Sequence, residues 1–223
     1  SANSTRGAFN GGVGIDYATQ WSMSIKEFIT LLFPYSLGFG GQLYFGDLPF
    51  TDFPNYIGLF IIILSIIGLL KSKINKKYKI YFLLVIFFSI LISLGSNFIQ
   101  FYNIFYNYFP HFNKFRVPAY ILILTNFSFI ILGSCGLDVL AQSVNNRIRI
   151  NKIIYYLLSI LLLLSILYIS FGDLLIDRSP NNILLSDLIF KDSFFILINS
   201  IVIIIIYFIF NYFRYNINIF YIL

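Results

Sequence analysis

The chain has 223 residues, of which 59% are hydrophobic and only 11% charged, with a mean hydropathy of +0.85 and a formal charge of +6. Soluble domains run at about 45–50% apolar and 25% charged, so a soluble core could not hide this much apolar surface. The basic residues cluster between apolar runs, which makes the positive charge a topology signal and argues against nucleic acid as a partner.

Residues 1–55 are polar and too broken by Gly and Pro to span a bilayer. They are expected to form an outer-face loop region, with a transmembrane region over residues 56–223. Gly11-Gly12-Val13-Gly14 has neither the spacing nor the strand–helix context of a nucleotide loop. Ser24 followed by Glu27 makes a capping box, and Ile25, Phe28, Ile29 and Leu32 share one helical face. That pattern predicts a short amphipathic helix in the membrane interface, closed by Pro34.

Five apolar runs then follow, at residues 56–70, 78–94, 117–137, 153–171 and 193–213. A span needs about 20 apolar residues, with a lower limit near 17, so the first run is short. Residues 98–109 are amphipathic and aromatic and are expected to lie along the interface. The expected fold class is all-α: a polytopic transmembrane helical bundle of about five spans, with interfacial amphipathic helices and an outer polar loop region.

Charge sets the orientation. Lys71, Lys73, Lys76, Lys77 and Lys79 fill one short connection, and Arg147, Arg149 and Lys152 another, so both should face the cytoplasm. Residues 1–55 carry Arg6 and Lys26 against Asp16, Glu27, Asp47 and Asp52. Residues 172–192 carry Arg178 and Lys191 against Asp173, Asp177, Asp187 and Asp192. Alternation then puts the N-terminus outside and the C-terminus in the cytoplasm.

Lys114 and Arg116 break that pattern, because they fall on the outer side, directly before Pro118 and the third run. Proline is favoured in the first turn of a helix, so the positive end of that helix lies beside two cations. An anion relieves the repulsion, and in a membrane the available class is a lipid phosphate or pyrophosphate. The alternative is that both side chains simply snorkel to headgroups.

Residues 14–22 gather Asp16, Tyr17, Gln20 and the only tryptophan, Trp21. Carboxylate, amide and aromatic face together suit a sugar, through hydrogen bonds to hydroxyls and stacking on the apolar ring face. They equally suit an interfacial Trp/Tyr anchor. Asp47, in the turn-rich stretch 44–51, either orients a ligand or caps a turn. His111 is the only histidine and Cys135 the only cysteine, so the sequence offers no metal motif and no intrachain disulfide. No cofactor is evident, and a requirement for a divalent metal is left open.

Taken in order, D-Y-A-T-Q-W-S (16–22), E-F-I-T-L-L-F-P (27–34), Y-F-G-D-L-P-F-T (44–51), L-G-S-N-F (94–98) and Y-F-P-H-F-N-K-F-R-V-P (108–118) resemble the YfhO family of large bacterial membrane proteins. The resemblance covers about residues 16–137 and rests on the set of motifs. It implies a polytopic glycosyltransferase of the GT-C type, acting on the outer face of the bacterial cytoplasmic membrane. The implied donor is a polyprenyl-phosphate sugar, and the implied acceptor a cell-envelope polymer such as lipoteichoic acid. In that architecture the catalytic carboxylate lies in the first outer loop. The chain, whose only methionine is Met23, is expected to be an internal piece that begins after it. On this reading Lys114 and Arg116 bind phosphate, while Asp16, Tyr17, Gln20, Trp21 and Asp47 face substrate. The rival class is a non-enzymatic lipid-binding or flippase-like transporter of envelope precursors. A transporter predicts ionisable residues within the spans, and 117–137 and 193–213 contain none.

Overall fold

The computed structural model describes residues 14–143 except Phe53, and beyond them residues 160, 163, 187, 188, 190–202 and 205. The basic loop of Arg147, Arg149 and Lys152, nearly all of the run at 153–171 and most of the second half of 193–213 lie outside the described residues. Among the described residues the chain is all-helical, with no strand. The helices are α1 (Ile15–Ala18), α2 (Leu59–Lys71), α3 (Lys76–Ser93), α4 (Ile99–Tyr108) and α5 (Leu122–Ser143), with short 3-10 turns between them. Residues 190–202 are helical as well.

Among the described residues one helix is long and apolar enough to cross a membrane: Pro118–Gln142, a 3-10 turn running into α5. Helices α3 and α4 pass the same test only as a pair bent by 106°, and α2 is a shorter apolar helix. The chain divides into two compact units, residues 1–56 with 75–128, and residues 57–74 with 129–223.

In the first unit, Asn75 caps α3 by accepting the Lys77 backbone N–H at 3.0 Å. Farther along, the buried hydroxyls of Ser89 and Thr125 lie 2.6 Å apart, a polar tie between apolar helices. Helix α3 ends at Ser93, and two residues on Gly95 has a φ of +46°, a left-handed value that suits a residue without Cβ. The chain turns there into α4. Its aromatic rings then run in file, Phe98–Phe101 at 5.7 Å, Phe101–Phe105 at 5.3 Å and Phe105–Phe112 at 5.8 Å between centroids. The fully buried Tyr102 sits edge-on to Phe112.

The amphipathic helix expected after Ser24 is replaced by a six-residue 3-10 helix, Lys26–Leu31. Its buried residues are Glu27, Thr30 and Leu31, whereas Ile25 is 83% exposed. Glu27 does not reach back to close a capping box. Its carboxyl accepts the Tyr44 hydroxyl and the Asp47 backbone N–H instead. A carboxyl group that is only 2% exposed must find donors, and that demand outweighs the apolar spacing of its neighbours.

The second unit packs α2 against the later turns of α5. A Cβ on Gly68 would collide with the Leu132 carbonyl oxygen, and one on Gly136 with the Leu64 carbonyl oxygen. Between them the fully buried Ser65 hydroxyl lies 2.7 Å from both the Ile61 and Phe129 carbonyls. Backbones this close, with a buried hydroxyl between the helices, follow the small-residue packing known for helices in lipid.

Candidate functional site

The break between α3 and α4 frees backbone groups that a continuous helix would pair internally. Residues 19–23 take them up. The Ser22 hydroxyl accepts the Ser96 N–H at 2.8 Å and donates to the Thr19 carbonyl at 2.5 Å. The Met23 N–H donates to the Ser93 carbonyl at 2.8 Å, and Asn97 Nδ2 donates to the Met23 carbonyl at 2.9 Å. From the start of the Pro118 helix, the Ala119 N–H donates to the Trp21 carbonyl at 3.3 Å. Under this junction lies a core of Met23, Leu48, Ala119 and Leu122, against which Trp21, Tyr44, Ile90 and Val117 pack. Segments 16–22, 94–98 and 108–118, far apart in the chain, therefore meet at one place.

Arg116 closes over it. Its guanidinium carbon lies 5.2 Å from the Tyr17 ring centroid and 5.4 Å from that of Trp21, within cation–π range of both. Nη1 also donates to the Tyr17 hydroxyl. The next residue, Val117, has φ +66°, a left-handed conformation that is a genuine outlier for a β-branched side chain. Pro118, after it, bars Val117 from the ordinary helical region.

Among the described residues neither Arg116 nor Lys114 is paired with a carboxylate, and both are exposed. A guanidinium has five N–H donors in a planar fork. With one donor on the Tyr17 hydroxyl, the exposed guanidinium has further N–H groups to offer oxygen acceptors. Lys114 lies in the preceding turn, Phe112–Lys114, as a second point charge.

The sequence-selected residues thus separate into two groups. Tyr17, Trp21 and Arg116 come into direct contact. Asp16 and Gln20 are exposed, on α1 and on the turn after it. Asp47 pairs with Lys26 at 2.9 Å. Ser24 and Lys26 together hold its carboxyl below the usual carboxylate range.

Sequence reasoning missed the centre of the loop network, Glu27 with Tyr44. The Tyr44 hydroxyl accepts the Leu48 N–H at 2.8 Å while donating to Glu27. Burial, reinforced by that carboxyl, pushes the phenol well above its ordinary range. The Trp21 indole N–H donates to the Phe50 carbonyl at 3.3 Å, and the two rings meet edge to face at 5.7 Å. Loop 44–50 is thereby fastened at Glu27, Lys26 and Trp21. The partners are 17 to 29 residues apart, so no local spacing could have revealed them. A cavity of about 10 Å³, enough for about one water, lies beside Glu27 and Asn55. His111 is exposed, with φ +62°. Among the described residues no group of three or more His, Cys, Asp or Glu could hold a metal.

Neither a protein-family model, nor a curated protein, nor a solved structure matches the chain.

Proposed function

We propose that the chain is a membrane glycosyltransferase that moves a sugar from a polyprenyl-phosphate donor to a cell-envelope glycan or polymer. The observation that carries this reading is the Arg116 guanidinium, within cation–π range of Tyr17 and Trp21 and, among the described residues, without a carboxylate partner. Aromatic faces beside an open cationic fork offer a sugar ring and a phosphate adjacent places. An acceptor hydroxyl attacks the anomeric carbon, the bond from that carbon to the lipid phosphate breaks, and the proton goes to the carboxylate that the resemblance puts in the first outer loop. Arg116, with Lys114, holds the departing lipid phosphate and stabilises the charge that develops on it.

The same proposal includes about five spans in the bacterial cytoplasmic membrane, N-terminus outside and C-terminus in the cytoplasm. What supports it is the Pro118–Gln142 helix, the glycine-packed α2 and the lysine-rich connection between α2 and α3.

The test is binding of a polyprenyl-phosphate analogue to wild type, Arg116→Lys and Arg116→Ala. Losing a charge-assisted bond to a phosphate costs about 1.5–3 kcal/mol, roughly 10- to 150-fold in affinity. Arg116→Lys should lose much of that, because an ammonium neither grips two oxygens nor stacks as a plane. Equal affinities in all three would remove the phosphate site. Arg116-dependent binding with transbilayer movement of the lipid, and no sugar transfer, would replace the enzyme by the lipid transporter.

A further inference from the structure

We propose that the cavity beside Glu27 binds a single monovalent cation of sodium size. This does not depend on the phosphate reading of Arg116. Glu27 is 2% exposed, and among the described residues no Lys, Arg or His pairs with it, because Lys26 is taken by Asp47. Both hydrogen bonds to its carboxyl, from the Tyr44 hydroxyl and the Asp47 N–H, fall on Oε1. Oε2 is left with no donor among the described residues. The chain passes tightly over the carboxyl at Gly46, where a Cβ would strike Oε1. A buried carboxylate needs a positive partner, and where no side chain supplies it a metal ion does.

The polar part of the lining is Glu27, Thr30, Tyr44, Thr51 and Asn55. Three of these have already committed hydrogens elsewhere. The Thr30 hydroxyl donates to the Glu27 carbonyl at 2.6 Å, and the Tyr44 hydroxyl donates to the Glu27 carboxyl. The Asn55 amide nitrogen donates to Met23 Sδ at 3.7 Å, so its carbonyl oxygen is what it can offer the cavity. Lone pairs therefore surround the carboxylate. A water has two hydrogens and cannot donate to Oε2, Thr30 and Asn55 together, whereas a cation serves all three. Carboxylate and neutral oxygens suit a hard cation. Calcium takes about six to eight oxygens and magnesium keeps several waters, more than a space for about one water admits. One carboxylate among neutral oxygens balances a single positive charge and needs no group of acidic or His ligands. Such an ion would tie the Lys26–Leu31 turn to the loop at Tyr44, Thr51 and Asn55. Phe50 in that loop touches Trp21, the only tryptophan, which makes occupancy readable.

The experiment takes the whole chain in lipid nanodiscs and titrates sodium chloride against choline chloride at constant ionic strength. Trp21 fluorescence and the thermal midpoint should both change saturably with sodium and not with choline. Glu27→Gln, which keeps an oxygen for Tyr44 and the Asp47 N–H, should abolish both responses. Thr30→Val removes one oxygen and should raise the half-saturating sodium about tenfold, the loss of one contact to a charged group. Lys26→Ala breaks only the exposed ion pair and should leave the half-point in place. If Glu27→Gln does not fold, Thr30→Val decides, and a half-point equal to that of wild type overturns the site. Absence of any sodium response means that the cavity holds water. An equal response to choline means that salt acts on exposed charge, and a sodium response that survives Glu27→Gln places the ion elsewhere. Each of these overturns the proposal.

Discussion

The junction at residues 19–23 and the contact between α2 and α5 solve the same problem by opposite means. At the junction a helix has been broken, and side chains and loop backbone supply partners for the groups set free. Between α2 and α5 the helices are continuous, and closeness comes from the absence of side chains at Gly68 and Gly136. The first arrangement is directional and built from polar atoms. The second depends on volume. A junction of the first kind can present a cation on its surface, whereas a glycine contact leaves nothing to present.

The largest expected effect is at the glycine contact. Gly136→Leu places branched carbon against the Leu64 backbone, which cannot yield as a flexible side chain would. Overpacking typically costs about 1–3 kcal/mol, and this substitution should reach or exceed the upper end in denaturant unfolding of the detergent-solubilised protein. Retention of wild-type stability would mean that the helices are not in backbone contact.

In the Glu27–Tyr44 loop network and at the junction the expected losses are somewhat smaller. Glu27→Ala strands the Tyr44 hydroxyl and the Asp47 N–H, and Ser22→Ala strands the Ser96 N–H. Each should cost about 1–3 kcal/mol in the same assay. A double-mutant cycle sharpens the comparison. Gly95→Ala collides with the Ser22 hydroxyl, so it should cost less in a Ser22→Ala background than in wild type. Strict additivity would show that Gly95 serves its φ alone.

Ser65→Ala should cost less again, about 0.6 kcal/mol and at most 1.7, as interhelical hydroxyl bonds in membranes do. The smallest effect is electrostatic. Asp47 has a depressed folded-state pKa, so its contribution is present above the ordinary carboxylate range and lost as pH falls through the lowered value. An exposed pair contributes about 0–1 kcal/mol. Fluorescence of Trp21, whose ring touches loop residue Phe50, should report the loosening only at pH below that range. In Lys26→Ala the transition should move to higher pH. An unchanged midpoint would disconnect the ion pair from the loop.

Periodic features were legible in the sequence. Helix α3 lies within two residues of the apolar run 78–94 because many side chains vote for it. Helix α4 falls inside the aromatic stretch 98–109 for the same reason. Lys26–Leu31 was misjudged because a single buried carboxyl, satisfied from a distant loop, overrode four apolar neighbours. Tyr17, Trp21 and Arg116 were each conspicuous for separate reasons, yet their contact was not readable. Nothing local couples a ring near the start of the chain to a cation 99 positions later.

That distance also sets an order of events. The Ser22–Ser96 bond spans 74 residues and the Arg116–Tyr17 bond 99. A chain emerging at about 5–20 residues per second keeps Trp21 and Tyr17 waiting for several seconds before their partners exist. Helices α2 and α3 need no such delay, since their bonds close within a turn. The cationic surface thus assembles only after α2, α3 and α4 have emerged, and any lesion that slows the formation of α3 or the Pro118 helix prolongs the interval in which residues 14–23 have nothing to hold.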